Sequence, residues 1–127
     1  AINNRDYDGV IIPGGMPGAQ NIFESKNARE LILSVYERNG LVAAICAAPA
    51  VVLEPLGILK GIPATSFPSF AGKMDNTQYH EDRVIKSGSI ITSRGAGTAA
   101  EFALEIIAYY LGPDTAAEVS ERNLQKK

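Results

Sequence analysis

The run Leu41-Val42-Ala43-Ala44-Ile45 has no polar alternation and ends abruptly on Cys46-Ala47-Ala48-Pro49. A strand with one wet face alternates apolar and polar residues, so an unbroken apolar run belongs in a sheet covered on both faces, as parallel sheets are. Val10-Ile11-Ile12 repeats the pattern and is stopped by Pro13-Gly14-Gly15, strong turn residues at a strand exit. Between the two, Asn27 and Glu30 have capping-box spacing, Ala28, Leu31, Ile32, Val35 and Tyr36 recur at helical spacing, and Gly40 supplies a stop. Buried strands alternating with helices predict an α/β fold with a mainly parallel sheet.

The rest of the chain continues the alternation. Pro49 suits the first turn of a short helix through Ala50, Val51, Val52 and Leu53, ended by Pro55 and Gly57. Ala64 to Phe67 reads as a strand stopped by Pro68, and Phe70 to Glu81 as a surface connection. Arg83 to Lys86 and Ser89 to Ser93 flank Ser87-Gly88, a two-residue hairpin turn. Thr98 with Glu101 is a second capping box, opening a helix through Phe102, Ala103, Ile106, Ile107 and Tyr110 to Gly112-Pro113, and Thr115 with Glu118 caps a final short helix. With no linkers or internal repeats, residues 1–127 form a single domain. A fully buried first strand should be central, with neighbours on both sides, yet few residues precede it, so an upstream portion of the domain is expected.

Composition removes several function classes. Twelve basic residues against fourteen acidic leave a net charge of -2, without the positive field of a nucleic-acid binder. No apolar run approaches the roughly 20 residues that span a bilayer, and AINNRDYD lacks the basic start and apolar stretch of a signal peptide; the expected location is cytoplasmic, or organellar after removal of a targeting segment. One cysteine and one histidine exclude a disulfide framework and a structural zinc cluster, and no metal is expected.

The lone cysteine admits two readings. Free cysteine is commonly a small core hydrophobe, and an alanine-rich strand end suits that role. The same stretch has the logic of a nucleophile elbow: a tight strand-to-helix turn with small neighbours presents the side chain at the carboxyl edge of the sheet, where helix N-terminal amides favour an anion. The turn Pro13-Gly14-Gly15 follows the neighbouring strand, and its backbone N–H groups, with that of Ala47, can hold an oxyanion. Loops after adjacent parallel strands converge on one crevice. Ser93-Arg94-Gly95-Ala96-Gly97-Thr98 repeats the strand, glycine loop and capped helix, but it lacks a full dinucleotide fingerprint, so no cofactor is expected. Arg94 either holds a carboxylate or phosphate or pins its loop by hydrogen bonds. His80, in a polar stretch, reads as a solvated surface histidine rather than the partner of Cys46.

The segments YDGVIIPGGMPGAQN, GLVAAICAAPAVVLEPLGILKG, ATSFP and SGSIITSRGAGTAAEFALEII resemble the ThiJ/PfpI superfamily, in its Parkinson-disease-associated deglycase and YajL-like branch, from about Tyr7 to Gly112. The resemblance implies a flavodoxin-like three-layer sandwich and a homodimer. It implies that Cys46 is the nucleophilic, oxidation-sensitive residue, that Gly15 and Ala47 donate to the oxyanion, and that Gly14, Phe67, Arg94 and Ala96 line the site. The activity implied is a cofactor-independent glyoxalase or deglycase acting on small reactive carbonyls or glycated adducts; the alternative is a redox-sensing chaperone using oxidation of the same cysteine. The family also implies a glutamate partner for the cysteine on an N-terminal βα portion. No glutamate precedes Tyr7, so this chain is expected to be the C-terminal part of such a domain, either a cleaved or partial product that pairs with an N-terminal fragment of the same protein or a chain to which another chain contributes that portion. Phe67 stands where some relatives carry histidine before proline, which disfavours a protease.

Overall fold

The computed structural model describes residues 7–123. Its main sheet has four strands, β1 (Gly9–Ile12), β2 (Leu41–Ile45), β5 (Val84–Ser87) and β6 (Ile90–Ser93), in the order β1-β2-β6-β5. β1, β2 and β6 run parallel; β5 pairs antiparallel with β6. Two short strands, β3 (Pro63–Ala64) and β4 (Gln78–Tyr79), form a separate parallel pair.

Side chains of successive strand residues point to opposite faces, and the core divides accordingly. Ile12, Val42 and Ala44 face one cluster built with Ile32 and Val35 of helix α2 (Lys26–Glu37) and with Val52 and Leu53. Leu41, Ala43 and Ile91 face a second cluster around Phe102 of α3 (Ala99–Leu111), and α4 (Pro113–Arg122) packs on α3. Helices cover both faces of a mainly parallel sheet, as the uninterrupted Leu41–Ile45 run predicts, and the three layers are those the family resemblance implies.

Several local expectations are corrected. β1 lies at the sheet edge and is not fully buried: its Ile11 is 56% exposed. A further helix, α1 (Gly18–Glu24), precedes α2. The cap of α2 is Ser25, whose Oγ accepts from Ala28 N at 3.2 Å, and not Asn27; with Asn27 already inside the helix, Glu30 falls four residues after Lys26 and pairs with it on the surface. The stop is shared by Asn39, at φ 61°, and Gly40, where a Cβ would lie 2.6 Å from Asp8 O. The expected helix after Cys46 is a five-residue π-turn, Pro49–Leu53, wholly buried.

The strand expected over Ala64–Phe67 is confined to Pro63–Ala64, because Thr65 N is taken by the Thr92 side chain at 3.0 Å and Phe67 N by Cys46 O at 2.8 Å. The supposed surface connection, Phe70 to Glu81, begins inside a 3-10 turn, Pro68–Lys73, and contains the strand β4 and a buried Met74. The hairpin turns on Gly88-Ser89, one residue later than expected, since Ser87 pairs with Ile90 and Gly88 takes φ 62°. Thr98 precedes α3 without capping it through its side chain, which is held by Gly95 and Ser93 instead, and α4 starts at Pro113 without Thr115 as cap.

Candidate active site

Cys46 has φ 65°, a left-handed conformation that costs a non-glycine residue roughly 1–2 kcal/mol and that persists only where surroundings enforce it. Here both of its backbone groups are tied, the N–H to Ser93 O at 3.0 Å and the carbonyl to Phe67 N at 2.8 Å. The bend turns the partly exposed thiol into a cleft of about 340 Å³ lined by Gly14, Gly15, Ile45, Cys46, Ala96 and Ala99. The Gly14 backbone passes directly beneath the cysteine. A Cβ there would collide with Cys46 Cβ and lie 2.7 Å from Ile45 O, so only glycine lets the two loops close on each other.

Gly15, at φ 87°, continues the same wall. The N–H groups of Gly14, Gly15 and Ala47 donate to no backbone carbonyl among the described residues. Ala47 itself is buried; its carbonyl accepts from Ala50 and Val51 at 3.1 and 2.9 Å, and Pro49 has no N–H to offer. The donors left for an anion near the sulfur are thus individual loop amides rather than a helix terminus. No carboxylate or imidazole lines this cleft among the described residues, and exposed His80 lies outside it.

Phe67 and Arg94 are not in this lining. They line a second cleft of about 390 Å³ with Pro68, Glu81, Arg83 and the loop Gly95–Thr98. Ala96 belongs to both walls, so the clefts adjoin there. Arg94 pins its surroundings: Nε donates to Ser66 O at 3.1 Å and Nη2 to the Tyr79 hydroxyl at 3.0 Å. Burial pushes the Tyr79 phenol up, but its hydrogen bonds with Ser66 and Arg94 outweigh burial and bring it below the ordinary tyrosine value. Because Phe67 holds the Cys46 carbonyl, this clamp on Ser66 also steadies the elbow. Arg83 grips Glu101 through Nε and Nη2 at 2.8–2.9 Å, and these hydrogen bonds hold the Glu101 carboxyl below its ordinary value. Neither Tyr79 nor the Arg83–Glu101 bridge was singled out from sequence; the partners lie 15 and 18 residues apart, with no periodicity to connect them.

A family model described as the DJ-1/PfpI family matches residues 1–109. The chain belongs to the DJ-1/PfpI family. Within it, the Parkinson disease protein 7 homolog of Danio rerio is 46% identical over 116 residues, covering 89% of this chain and 61% of that protein. The glutathione-independent glyoxalase DJR-1.2 of Caenorhabditis elegans is 36% identical over 115 residues, covering 89% of this chain and 60% of that protein. The solved structure of oxidised Toxoplasma gondii DJ-1 superposes with a TM-score of 0.90 at 36% identity, over 98% of this chain and 67% of that one. The chain therefore spans about 60% of the length of these two curated DJ-1/PfpI relatives. Among the described residues no helix is long and apolar enough to cross a membrane.

Proposed function

We propose that this chain carries the nucleophile of a cofactor-independent enzyme that converts reactive dicarbonyls such as methylglyoxal, or their adducts with proteins and nucleotides, to hydroxy acids. The observation that carries this reading is Cys46, held at φ 65° over a cleft whose walls offer the unspent amides of Gly14 and Gly15. The Cys46 thiolate attacks the aldehyde carbon, forming a C–S bond while the carbonyl electron pair moves to oxygen; the Gly15 and Ala47 amides hold that oxyanion until it is protonated. A base then takes the proton from this carbon and returns it at the neighbouring carbonyl carbon. The first carbon is oxidised to a thioester as the second is reduced to an alcohol, and water cleaves the thioester. Methylglyoxal plus water becomes lactate without an external oxidant. A glyoxalase among the relatives supports this chemistry. The base comes from outside the cleft lining described above, which agrees with a glutamate on an N-terminal portion of the full-length, homodimeric protein.

Cys46→Ser in the full-length protein is expected to lower lactate formation from methylglyoxal on the order of a thousandfold or more; retained turnover would sink the proposal. A second reading is supported by the relative whose structure is of an oxidised form: Cys46 as a redox sensor whose oxidation to sulfinic acid alters what the protein binds. Mass spectrometry after mild peroxide separates the two, since selective oxidation of Cys46 in a protein with no dicarbonyl turnover favours the sensor.

A further inference from the structure

The second cleft has no part in the chemistry at sulfur, yet it opens beside it at Ala96, and a molecule as small as methylglyoxal occupies only one of the two. We infer that this cleft is a subsite for an anionic group, a carboxylate or phosphate, at the far end of a larger substrate. The inference rests on the proposed reaction at Cys46 and names the class of dicarbonyl the site is shaped for.

A guanidinium carries five N–H donors, and the two in this lining are only partly used. Arg83 commits Nε and Nη2 to Glu101 and to Gly97 O, leaving Nη1 without an acceptor among the described residues. Arg94 makes one bond from each nitrogen, that from Nη1 to Glu81 O being long at 3.5 Å, so Nη1 and Nη2 each retain a hydrogen. The existing bonds fix both planar forks, and this removes much of the entropy an arginine loses on gripping a ligand. Charge alone does not make the selection, because Glu101 balances Arg83 and the acidic residue Glu81 is also in the cleft lining. Selection comes from pre-set donors that only an acceptor-rich group satisfies together, and charge-assisted hydrogen bonds exceed neutral ones. Phe67, 42% exposed and packed 3.4 Å from the position of a Gly95 Cβ, offers with Pro68 an apolar wall for the body of such a substrate.

Aryl glyoxals test this in the full-length protein. 4-Carboxyphenylglyoxal is expected to show a KM about tenfold below that of its neutral isostere 4-carbamoylphenylglyoxal, with kcat little changed, and added salt should narrow the gap. 4-(Phosphonooxy)phenylglyoxal separates phosphate from carboxylate as the preferred anion. Arg83→Gln, and Arg83→Gln with Glu101→Gln to avoid a stranded carboxylate, should cut the preference severalfold, Arg94 supplying what remains, while leaving unsubstituted phenylglyoxal unaffected. Equal KM values for the charged and neutral probes would overturn the inference and leave the Cys46 chemistry standing. If no glyoxal is turned over, the unreactive 4-acetylbenzoate decides: shifts of the Gly95, Ala96 and Gly97 amide resonances, absent with acetophenone and needing severalfold more ligand in the double variant, support the subsite independently of the reaction, and no shifts refute it.

Discussion

At Gly14 a single methyl group decides whether the cysteine loop can close. Gly14→Ala pushes a Cβ into Cys46 and toward Ile45 O at 2.7 Å, and overpacking of this kind costs about 1–3 kcal/mol. The expected outcome is a lower urea midpoint together with loss of methylglyoxal turnover, because relief of the clash must move the sulfur. Gly15→Ala is a different experiment. Nothing lies within 4 Å of the added carbon, and the penalty is the positive φ of 87° alone, about 1 kcal/mol; that variant is expected to fold with a modest midpoint shift. Sequence reasoning located both glycines and the cysteine, since turn residues at strand ends are local signals. It could not divide Phe67 and Arg94 from the cysteine cleft, because which of two adjoining hollows a residue lines depends on where chain-distant loops meet.

Among the elements, the central strand was the easiest to read and the caps the hardest. Leu41–Ile45 carries its own burial signature, and the sheet placed it between β1 and β6 with both faces covered. Caps compete locally: Ser25 and Asn27 both have the chemistry, and the deciding factor is that the chain leaves α1 extended at Ser25, φ -78° and ψ 115°. Ser25→Ala should therefore cost about 1 kcal/mol, whereas Asn27→Ala should lie within a few tenths in the same denaturant titration. The Arg83–Glu101 bridge, joining the segment before β5 to α3, gives a pH test. Its carboxyl is depressed in the folded state, so the bridge contributes fully above the unfolded carboxyl value of about 4.3 and is lost as pH falls through the lower folded value. Urea midpoints of the wild type and Glu101→Gln are expected to differ near neutrality and to converge in acid.

For the whole molecule, the open side of β1 matters most. In a parallel ladder alternate residues of a strand serve one neighbour; Asp8 O accepts from Leu41 N, so Gly9 and Ile11 turn their N–H and C=O groups away from β2. An unpaired strand edge is a template for another strand, and β1 presents such an edge on its side away from β2. Hydrogen exchange at Gly9 and Ile11 should be fast in the isolated 127-residue chain and slow in the full-length protein. With no carboxylate or imidazole lining the cysteine cleft among the described residues, the isolated chain is also expected to turn over methylglyoxal at least about a hundredfold more slowly than the full-length protein; equal turnover would refute the proposed outside base. Ala96, shared by two clefts, has a different consequence. A molecule that occupies both must bend around one small residue with its ends held at a set spacing, so the pair of hollows works as a ruler. In a series of aldehydes tethered to an acid through lengthening chains, affinity should peak at one tether length and decline on either side.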